Sequence, residues 1–160
     1  MEFRSYLDEM GFRYRWFNHP EAHSASRLAA VQHIPGDRVV KPVIVNLDGE
    51  FVLCALPASY RIDLDLLRRE LNADEVRLAS EAEVAQLCDC QPGSEPPVGW
   101  LFGMPTLIDE SLFEDDRVTF PAGTCDEAIT MSFLEFFRLA QPAVGHFCRR
   151  ISAGRPMQVH

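Results

Sequence analysis

The sequence predicts a single α+β domain in which a mixed, curved, barrel-like β-sheet is flanked by helices. The chain has 160 residues, enough for one domain, and 47% of them are apolar, as is typical of a globular core. Segments rich in β-branched residues alternate irregularly with amphipathic segments, without the regular strand–helix repeat of a parallel α/β fold. We therefore expect strands of both orientations to share one core with the helices.

Hydrophobic periodicity and β-branched content place the individual elements. The predicted helices cover residues 2–10, 25–31, 63–71, 81–87 and 133–139, with one further turn at 109–113. The predicted strands cover residues 14–17, 39–47, 51–56, 75–78, 100–108, 118–120 and 128–131.

Turn and capping residues support these boundaries. Asp48-Gly49 is a strong two-residue hairpin signal between two of the strands. Ser80, with Glu83 three residues later, has the pattern of a capping box. Ser24, Asp63 and Ser132 are the expected caps of the other helices that follow them. Residues 88–99 contain three prolines and two glycines, which predicts a loop of restricted shape. We expect one domain over residues 1–142, followed by a C-terminal extension over 143–160.

The charge distribution argues against several classes of function. The net charge is −9, and residues 63–127 carry sixteen acids against four bases. Proteins that coat nucleic acid neutralise phosphates with basic residues, so we expect no DNA binding. The apolar runs are shorter than the ~18 residues of a membrane span. Five irregularly spaced cysteines and no secretory signal pattern predict reduced thiols and a cytoplasmic location.

Lysine usage is more specific. Fourteen of the fifteen basic residues are arginine, and Lys41 is the one lysine. Lysine carries a compact charge whose pKa responds to burial, and arginine does not reproduce that property. Lys41 lies in a predicted strand, and we predict a functional role for it; chance retention of one lysine is the alternative.

Other candidate sites have weaker support. Cys88-x-Cys90 is a single thiol pair, whereas structural zinc sites need two ligand pairs, so we predict no metal. The sequence has no Walker A pattern and no G-x-G-x-x-G after a strand, so we also predict no cofactor. Cys125 lies in a glycine-containing turn, and a thiol enzyme using Cys125 or the Cys88/Cys90 pair stays open as an alternative. The backbone near Gly93 can offer N–H groups to a carbonyl, unless this loop is a plain surface turn.

Short motifs along residues 1–140 resemble the YbaK/ProRS-associated family. They are, in order, His19-Pro20, Ser24-Ala25, Ala29-Ala30, Lys41, Asp63, Leu67, Arg77–Glu81, Gly93–Pro97, Gly99, Gly103–Thr106, Asp109, Leu112, Ala122-Gly123 and Ile129. Each motif is short, but their order and spacing make the set specific.

The family comprises editing domains of bacterial prolyl-tRNA synthetases and free-standing relatives that remove wrongly attached small amino acids from tRNA. The resemblance implies a barrel-like mixed-sheet fold and a trans-acting, metal-independent aminoacyl-tRNA deacylase. The implied partner is the acceptor end of a mischarged tRNA, with an aminoacyl-tRNA synthetase as a second candidate.

The same resemblance implies residue roles. Lys41 would hold the terminal phosphate or the ester region of the tRNA. The backbone of Gly93, Pro97 and Gly99 would lie near the scissile carbonyl, where water attacks. The residues expected to contact the substrate are His19, Ser24, Ser94, Pro96, Gly123, Thr124 and Cys125.

One loop departs from the family pattern. Many relatives carry a histidine just after an Ala-Gly pair, whereas here Gly123 is followed by Thr124 and Cys125. Either residue could line the amino-acid pocket instead. The departure motivates a second hypothesis, a non-catalytic member that binds tRNA or a synthetase. The acidic charge predicts that tRNA approaches the Lys41 side or the basic tail, which contains Arg149, Arg150 and Arg155.

Overall fold

A computed structural model describes residues 2–151 of the chain. The helices are α1 (Phe3–Glu9), α2 (Ala25–Gln32), α3 (Leu64–Glu70), α4 (Glu81–Leu87) and α5 (Phe133–Ala140). The strands are β1 (Arg15–Asn18), β2 (Val40–Leu47), β3 (Glu50–Pro57), β4 (Tyr60–Ile62), β5 (Val76–Leu78), β6 (Thr106–Asp109), β7 (Arg117–Pro121), β8 (Glu127–Ser132), β9 (Ala143–Gly145) and β10 (Cys148–Arg150). Short 3₁₀ helices lie at Gly36–Arg38, Gly99–Phe102 and Glu110–Glu114.

The largest sheet has five strands, in the order β5-β2-β3-β6-β9. β2 and β3 pair antiparallel along their whole length across the Asp48-Gly49 turn, as the hairpin signal predicts. β6 pairs parallel with both β3 and β9, so the sheet is mixed. The predicted α+β class with a mixed sheet is confirmed.

Two smaller sheets complete the fold. β1, β8 and β7 form an antiparallel three-stranded sheet, and β4 pairs with β10. A parallel bridge between Val39 and Thr119 joins the start of β2 to β7. The main core therefore includes side chains from the five-stranded and the three-stranded sheets. Among them are Leu53 of β3 and Phe120 of β7, which pack together with Phe136 of α5.

Both faces of β2 are covered, because side chains of a strand alternate between its faces. Ile44 points into the main core, whereas Val45 joins a second core that contains Leu67 of α3 and the fully buried Phe147. Lys41 has the same phase as Val45 and so lies on the second-core side of β2. Lys41 is thus the one charged residue of β2, whose other residues are apolar apart from Asn46.

The predicted helix caps are all present. The side chains of Ser24, Asp63, Ser80 and Ser132 each accept a hydrogen bond from a backbone N–H in the first turn of the following helix. Ser80 and Glu83 form the complete capping box. These local signals place the starts of α2 to α5.

The strand predicted over residues 100–108 is wrong in its first half. Gly99–Phe102 is a 3₁₀ helix, and Gly103 ends it with a φ of 72°. β6 begins only at Thr106. The positive φ is readily adopted by glycine and turns the chain, so this glycine ends a helix rather than lying inside a strand.

Three short strands, β4, β9 and β10, have no counterpart among the predicted elements. β9 adds to the large sheet, and β10 pairs with β4. Residues 143–150 of the expected C-terminal extension therefore pack into the sheets, while residues 152–160, including Arg155, lie outside the described residues. Between residues 2 and 151, no helix combines the length and apolar character needed to cross a bilayer.

Candidate active site

A cavity of about 500 Å³ opens beside the N-terminal half of β2. Strand pairing with β5 involves only residues 45–47 of β2, which leaves the edge of β2 near Lys41 open on that side. Ser24 at the start of α2 and Glu81 at the start of α4 line two further walls. Gly93 and Glu95 of the loop over residues 88–98 also line the cavity.

Lys41 is half-buried in this cavity. Its Nζ donates a hydrogen bond to the backbone carbonyl of Tyr60 in β4. Burial lowers the pKa of Lys41 from its ordinary 10.5 to about 8, and the nearby Cys148 acts in the opposite direction. Lys41 therefore remains mostly an ammonium at pH 7, although its pKa lies nearer neutrality than that of an ordinary lysine, and shifted pKa values are often found at functional sites.

Gly93 faces the same cavity in a conformation that depends on glycine. Its φ is +82°, and a Cβ at this position would lie 1.8 Å from the backbone oxygen of His23. Both the positive φ and the close approach exclude a side chain. The loop over residues 88–98 is therefore seated directly on the segment that precedes α2.

Glu95 is the cavity residue that the sequence patterns missed. Its side chain is 8% exposed, and its Oε1 accepts a hydrogen bond from Gly93 N–H at 3.2 Å. The N–H expected to face a scissile carbonyl is thus already engaged by a carboxylate. The signal available in the sequence was an acidic residue inside a proline-stiffened loop. Its burial is notable because acidic side chains are rarely buried unless they are paired.

The remaining predicted residues of this loop lie behind the cavity wall. Ser94, Pro96 and Pro97 are buried, and none of them lines the cavity. Gly99 N–H donates to Thr106 Oγ1 at 2.7 Å, and a Cβ on Gly99 would meet the backbone oxygen of Met104 at 2.5 Å. Gly99 therefore fits the 3₁₀ helix against β6.

Two residues before β2 have different surroundings. Ser24 lines the cavity while its Oγ accepts the Arg27 N–H at 3.1 Å as the cap of α2. His19 is buried outside the cavity lining, with Nδ1 2.7 Å from the Pro20 carbonyl oxygen. Within residues 2–151, its Nε2 and the Oγ of Ser94 have no hydrogen-bond partner.

The loop containing Gly123, Thr124 and Cys125 does not line the cavity either. It hydrogen-bonds to the loop over residues 88–98, which we refer to as the cavity loop. Gly123 N–H donates to the Ser94 carbonyl, and Cys125 N–H donates to Gln91 Oε1. Thr124 Oγ1 lies within hydrogen-bond distance of two neighbouring carboxylates. This loop thus supports the cavity loop from outside.

The thiols lack the property that a nucleophile needs. Burial raises the pKa of Cys88 to about 12 and that of Cys90 to about 11, and the Glu95 carboxylate adds to both shifts. The pKa of Cys125 is also raised, by desolvation and then by a hydrogen bond to Glu21. Reactive thiols have lowered pKa values, so this chemistry disfavours the thiol-enzyme alternative.

One group of potential metal ligands lies on the surface. Atoms of Glu21, His23 and Cys125 all lie within 4.8 Å of one another. Glu21 and His23 are exposed, and Cys125 Sγ donates to Glu21 Oε1 at 3.5 Å. We refer to these three residues as the surface cluster.

Comparison with known proteins relates this chain to one family. The sequence model of the aminoacyl-tRNA editing domain matches residues 19–139, which include Lys41 and the whole cavity loop. The multifunctional Ser/Thr-tRNA deacylase ProXp-y of Escherichia coli strain K12 is 26% identical over 148 residues and covers 89% of each chain. The proline–tRNA ligase of Staphylococcus saprophyticus is 32% identical over 79 residues, which are 49% of this chain and 14% of the ligase.

Solved structures show the same fold. The hypothetical protein APE2540 superimposes with a TM-score of 0.83 at 19% identity, covering 93% of this chain and 100% of that one. A structure described as a candidate trans-editing enzyme for prolyl tRNA synthetase superimposes with a TM-score of 0.80 at 22% identity, covering 92% and 95%. The predicted family is confirmed: the chain belongs to the aminoacyl-tRNA editing domain family.

Proposed function

We propose that this protein is a trans-acting aminoacyl-tRNA deacylase that hydrolyses the ester of a wrongly attached small amino acid. The family match supports the reaction, since its model describes an editing domain. The match to a tRNA deacylase over 89% of both chains supports a trans-acting enzyme, in contrast to the 14% of the proline–tRNA ligase that is matched. The reaction takes place in the cytoplasm, as the composition predicts.

The main support for this function is that Lys41 and Gly93 line one cavity, although these two residues are 52 positions apart in the sequence. A cavity of about 500 Å³ is within the usual range for small-ligand sites and accommodates an amino-acid ester. Among the described residues that line it, Lys41 is the one cation. It binds the terminal phosphate or the ester region of the tRNA, which are the electron-rich parts of the substrate.

Hydrolysis of an aminoacyl ester requires few catalytic groups, because the ester is already activated. The site has to position water and stabilise the negative charge that develops on the carbonyl oxygen. The Lys41 ammonium supplies positive charge in a partly desolvated place, where it acts more strongly than in water. The backbone of Gly93 to Pro97, with Gly99 behind it, fixes the wall near the scissile carbonyl. The proposed reaction uses no metal and no cofactor.

The partner is the acceptor end of a mischarged tRNA, with an aminoacyl-tRNA synthetase as a second candidate. Lys41 is the main contact, because it lines the cavity, whereas Arg149 and Arg150 of the basic tail do not. Arg149 contacts Asp63 at 2.7 Å, and Arg150 contacts Asp37 at 2.8 Å. Arg155 lies outside the described residues.

A panel of mischarged tRNAs tests the proposal with the wild type and Lys41→Ala. Removing the ammonium is expected to lower kcat/KM about 100-fold, the scale of losing one charge-assisted contact in the transition state. Lys41→Arg is expected to fail as well, because a planar guanidinium does not replace a compact ammonium. Arg68→Ala, a change on the exposed surface of α3, is the control and should retain wild-type activity.

Two outcomes would contradict the proposal. Full activity of Lys41→Ala would remove Lys41 from the mechanism. A wild type that binds tRNA but hydrolyses none of the panel would favour the non-catalytic hypothesis.

A further inference from the structure

The cavity holds opposite charges on different walls. Lys41 lies on β2, and Glu95 lies on the loop over residues 88–98. Glu81 is a second carboxylate in the lining, but its side chain is exposed at the start of α4. Glu95 is 8% exposed and belongs to a buried run over residues 94–99. The proposed use of Lys41 leaves the buried carboxylate without a role.

Burial of Glu95 needs a compensating interaction, because removing a carboxylate from water is costly. In the described part of the chain it accepts one hydrogen bond, from Gly93 N–H. Its charge also acts on Cys88 and Cys90, whose pKa values it raises, so its neighbours on that side do not stabilise it. A carboxylate that lines a cavity with one neutral donor is well suited to bind a cationic ligand.

The substrate class of the proposed function contains such a cation. An aminoacyl ester carries a primary ammonium on the carbon next to the scissile carbonyl. Glu95 is two residues from Gly93, whose wall the proposed function places near that carbonyl. We propose that the Glu95 carboxylate binds the α-ammonium of the aminoacyl ester and thereby orients the carbonyl; this inference rests on the proposed function.

The inference has a consequence for substrate choice. An ester whose amino group is acylated has no ammonium and adds bulk beside a buried carboxylate. Such N-blocked esters include formylated and peptidyl esters of tRNA. The site therefore rejects them and accepts esters with a free amino group. This selectivity arises at the amino group and not from the identity of the amino-acid side chain.

A substrate pair that differs only at the α-position tests the role of Glu95. The two probes are one aminoacyl-tRNA and the matching α-hydroxyacyl-tRNA, in which a neutral hydroxyl replaces the ammonium. The wild type is expected to hydrolyse the aminoacyl ester with a kcat/KM about 30-fold higher, as for a charge-assisted contact. Glu95→Gln keeps an oxygen that can accept from Gly93 N–H. It should lose about 30-fold on the aminoacyl ester and less than about 3-fold on the hydroxyacyl ester.

The alternative is that Glu95 only holds the loop in shape. A structural role predicts that Glu95→Gln lowers both rates by the same factor, and this result would overturn the inference. Equal hydrolysis of the two esters by the wild type would also overturn it while leaving the proposed function intact. Glu81→Gln distinguishes the two carboxylates: loss of discrimination in that variant, but not in Glu95→Gln, would assign the ammonium to Glu81. A wild type that hydrolyses neither ester would overturn the proposed function and this inference together.

Discussion

The cavity and the surface cluster both adjoin the loop over residues 88–98, and they differ in how far their side chains are removed from water. In the cavity, Lys41 is half-buried and Glu95 is nearly fully buried. In the surface cluster, Glu21 and His23 are exposed. Both regions contain ionisable residue types that occur in catalytic sites. The cavity removes its carboxylate and its ammonium further from water, and a charge interacts more strongly there.

The direction of the pKa shifts makes the same distinction. Burial moves the pKa of Lys41 towards neutrality, to about 8. At the surface cluster, desolvation and then Glu21 move the pKa of Cys125 further from neutrality. A thiol beside a carboxylate is kept protonated, so proximity alone does not make a nucleophile.

The largest effect is expected where the two regions touch, at Gly93. Gly93→Ala would place a methyl group 1.8 Å from the His23 oxygen in a left-handed conformation, and we expect it to lower the free energy of unfolding by about 4 kcal/mol. Gly123→Ala is the matched control, with a φ of +103° and its nearest atom, Cys90 Sγ, at 4.0 Å. It should cost only the backbone strain, about 1 kcal/mol. Urea unfolding measures both, and equal losses would show that the close approach to His23 is unimportant.

The next effect concerns the charge of Lys41. The shift in its pKa from 10.5 to about 8 corresponds to a cost of about 3 kcal/mol for burying the ammonium. In Lys41→Met, loss of the hydrogen bond to the Tyr60 carbonyl offsets about 1 kcal/mol of this gain. The variant should therefore be about 2 kcal/mol more stable than the wild type at pH 7.

The pH dependence follows from the same shift. Because the pKa is lower in the folded state, the unfolded chain binds more protons between pH 8 and 10.5. The lysine contribution to stability therefore rises with pH in this range, and the advantage of Lys41→Met should shrink. Unfolding of both proteins at pH 7 and 9.5 measures the difference and cancels the thiols that they share. A constant difference would mean that the Lys41 pKa is not lowered.

The smallest effect is expected at the surface cluster. Cys125→Ser should change kcat/KM for a mischarged tRNA by less than about 2-fold, because a hydroxyl can also donate to Glu21 and the thiol does not line the cavity. The deacylation assay measures the rate, and alkylation at pH 7 should label Cys125 more slowly than a free thiol. A rate loss of 10-fold or more would move part of the catalytic machinery to this loop.

Local signals predicted most of the fold. The Asp48-Gly49 turn and the caps at Ser24 and Ser80 depend on residues within a few positions of one another, so they can be read directly from the sequence. The strands β9 and β10 were missed because they are three residues long and are formed by pairing with β6 and β4, which lie far away in sequence. Nothing in their own residues distinguishes them from loop.

The main parts of the candidate site could be predicted from the sequence, but the orientation of individual residues could not. Lys41 stood out by composition, and the glycine-proline loop by its restricted shape, and both line the cavity. The sequence of the loop from Gly93 to Gly99 does not reveal which of its residues face the cavity, because that depends on packing against His23 and Thr106. Gly99 was therefore grouped with Gly93, and Glu95 was overlooked.

The solitary lysine has a practical consequence for following this protein in solution. Reductive methylation with a ¹³C-enriched reagent labels primary amines, and in this chain the one side chain it labels, beside the N-terminal α-amine, is that of Lys41 at the cavity wall. Its methyl resonance would report the protonation of that amine directly. The same signal would shift when a substrate fragment enters, giving a binding sensor that needs no engineered probe.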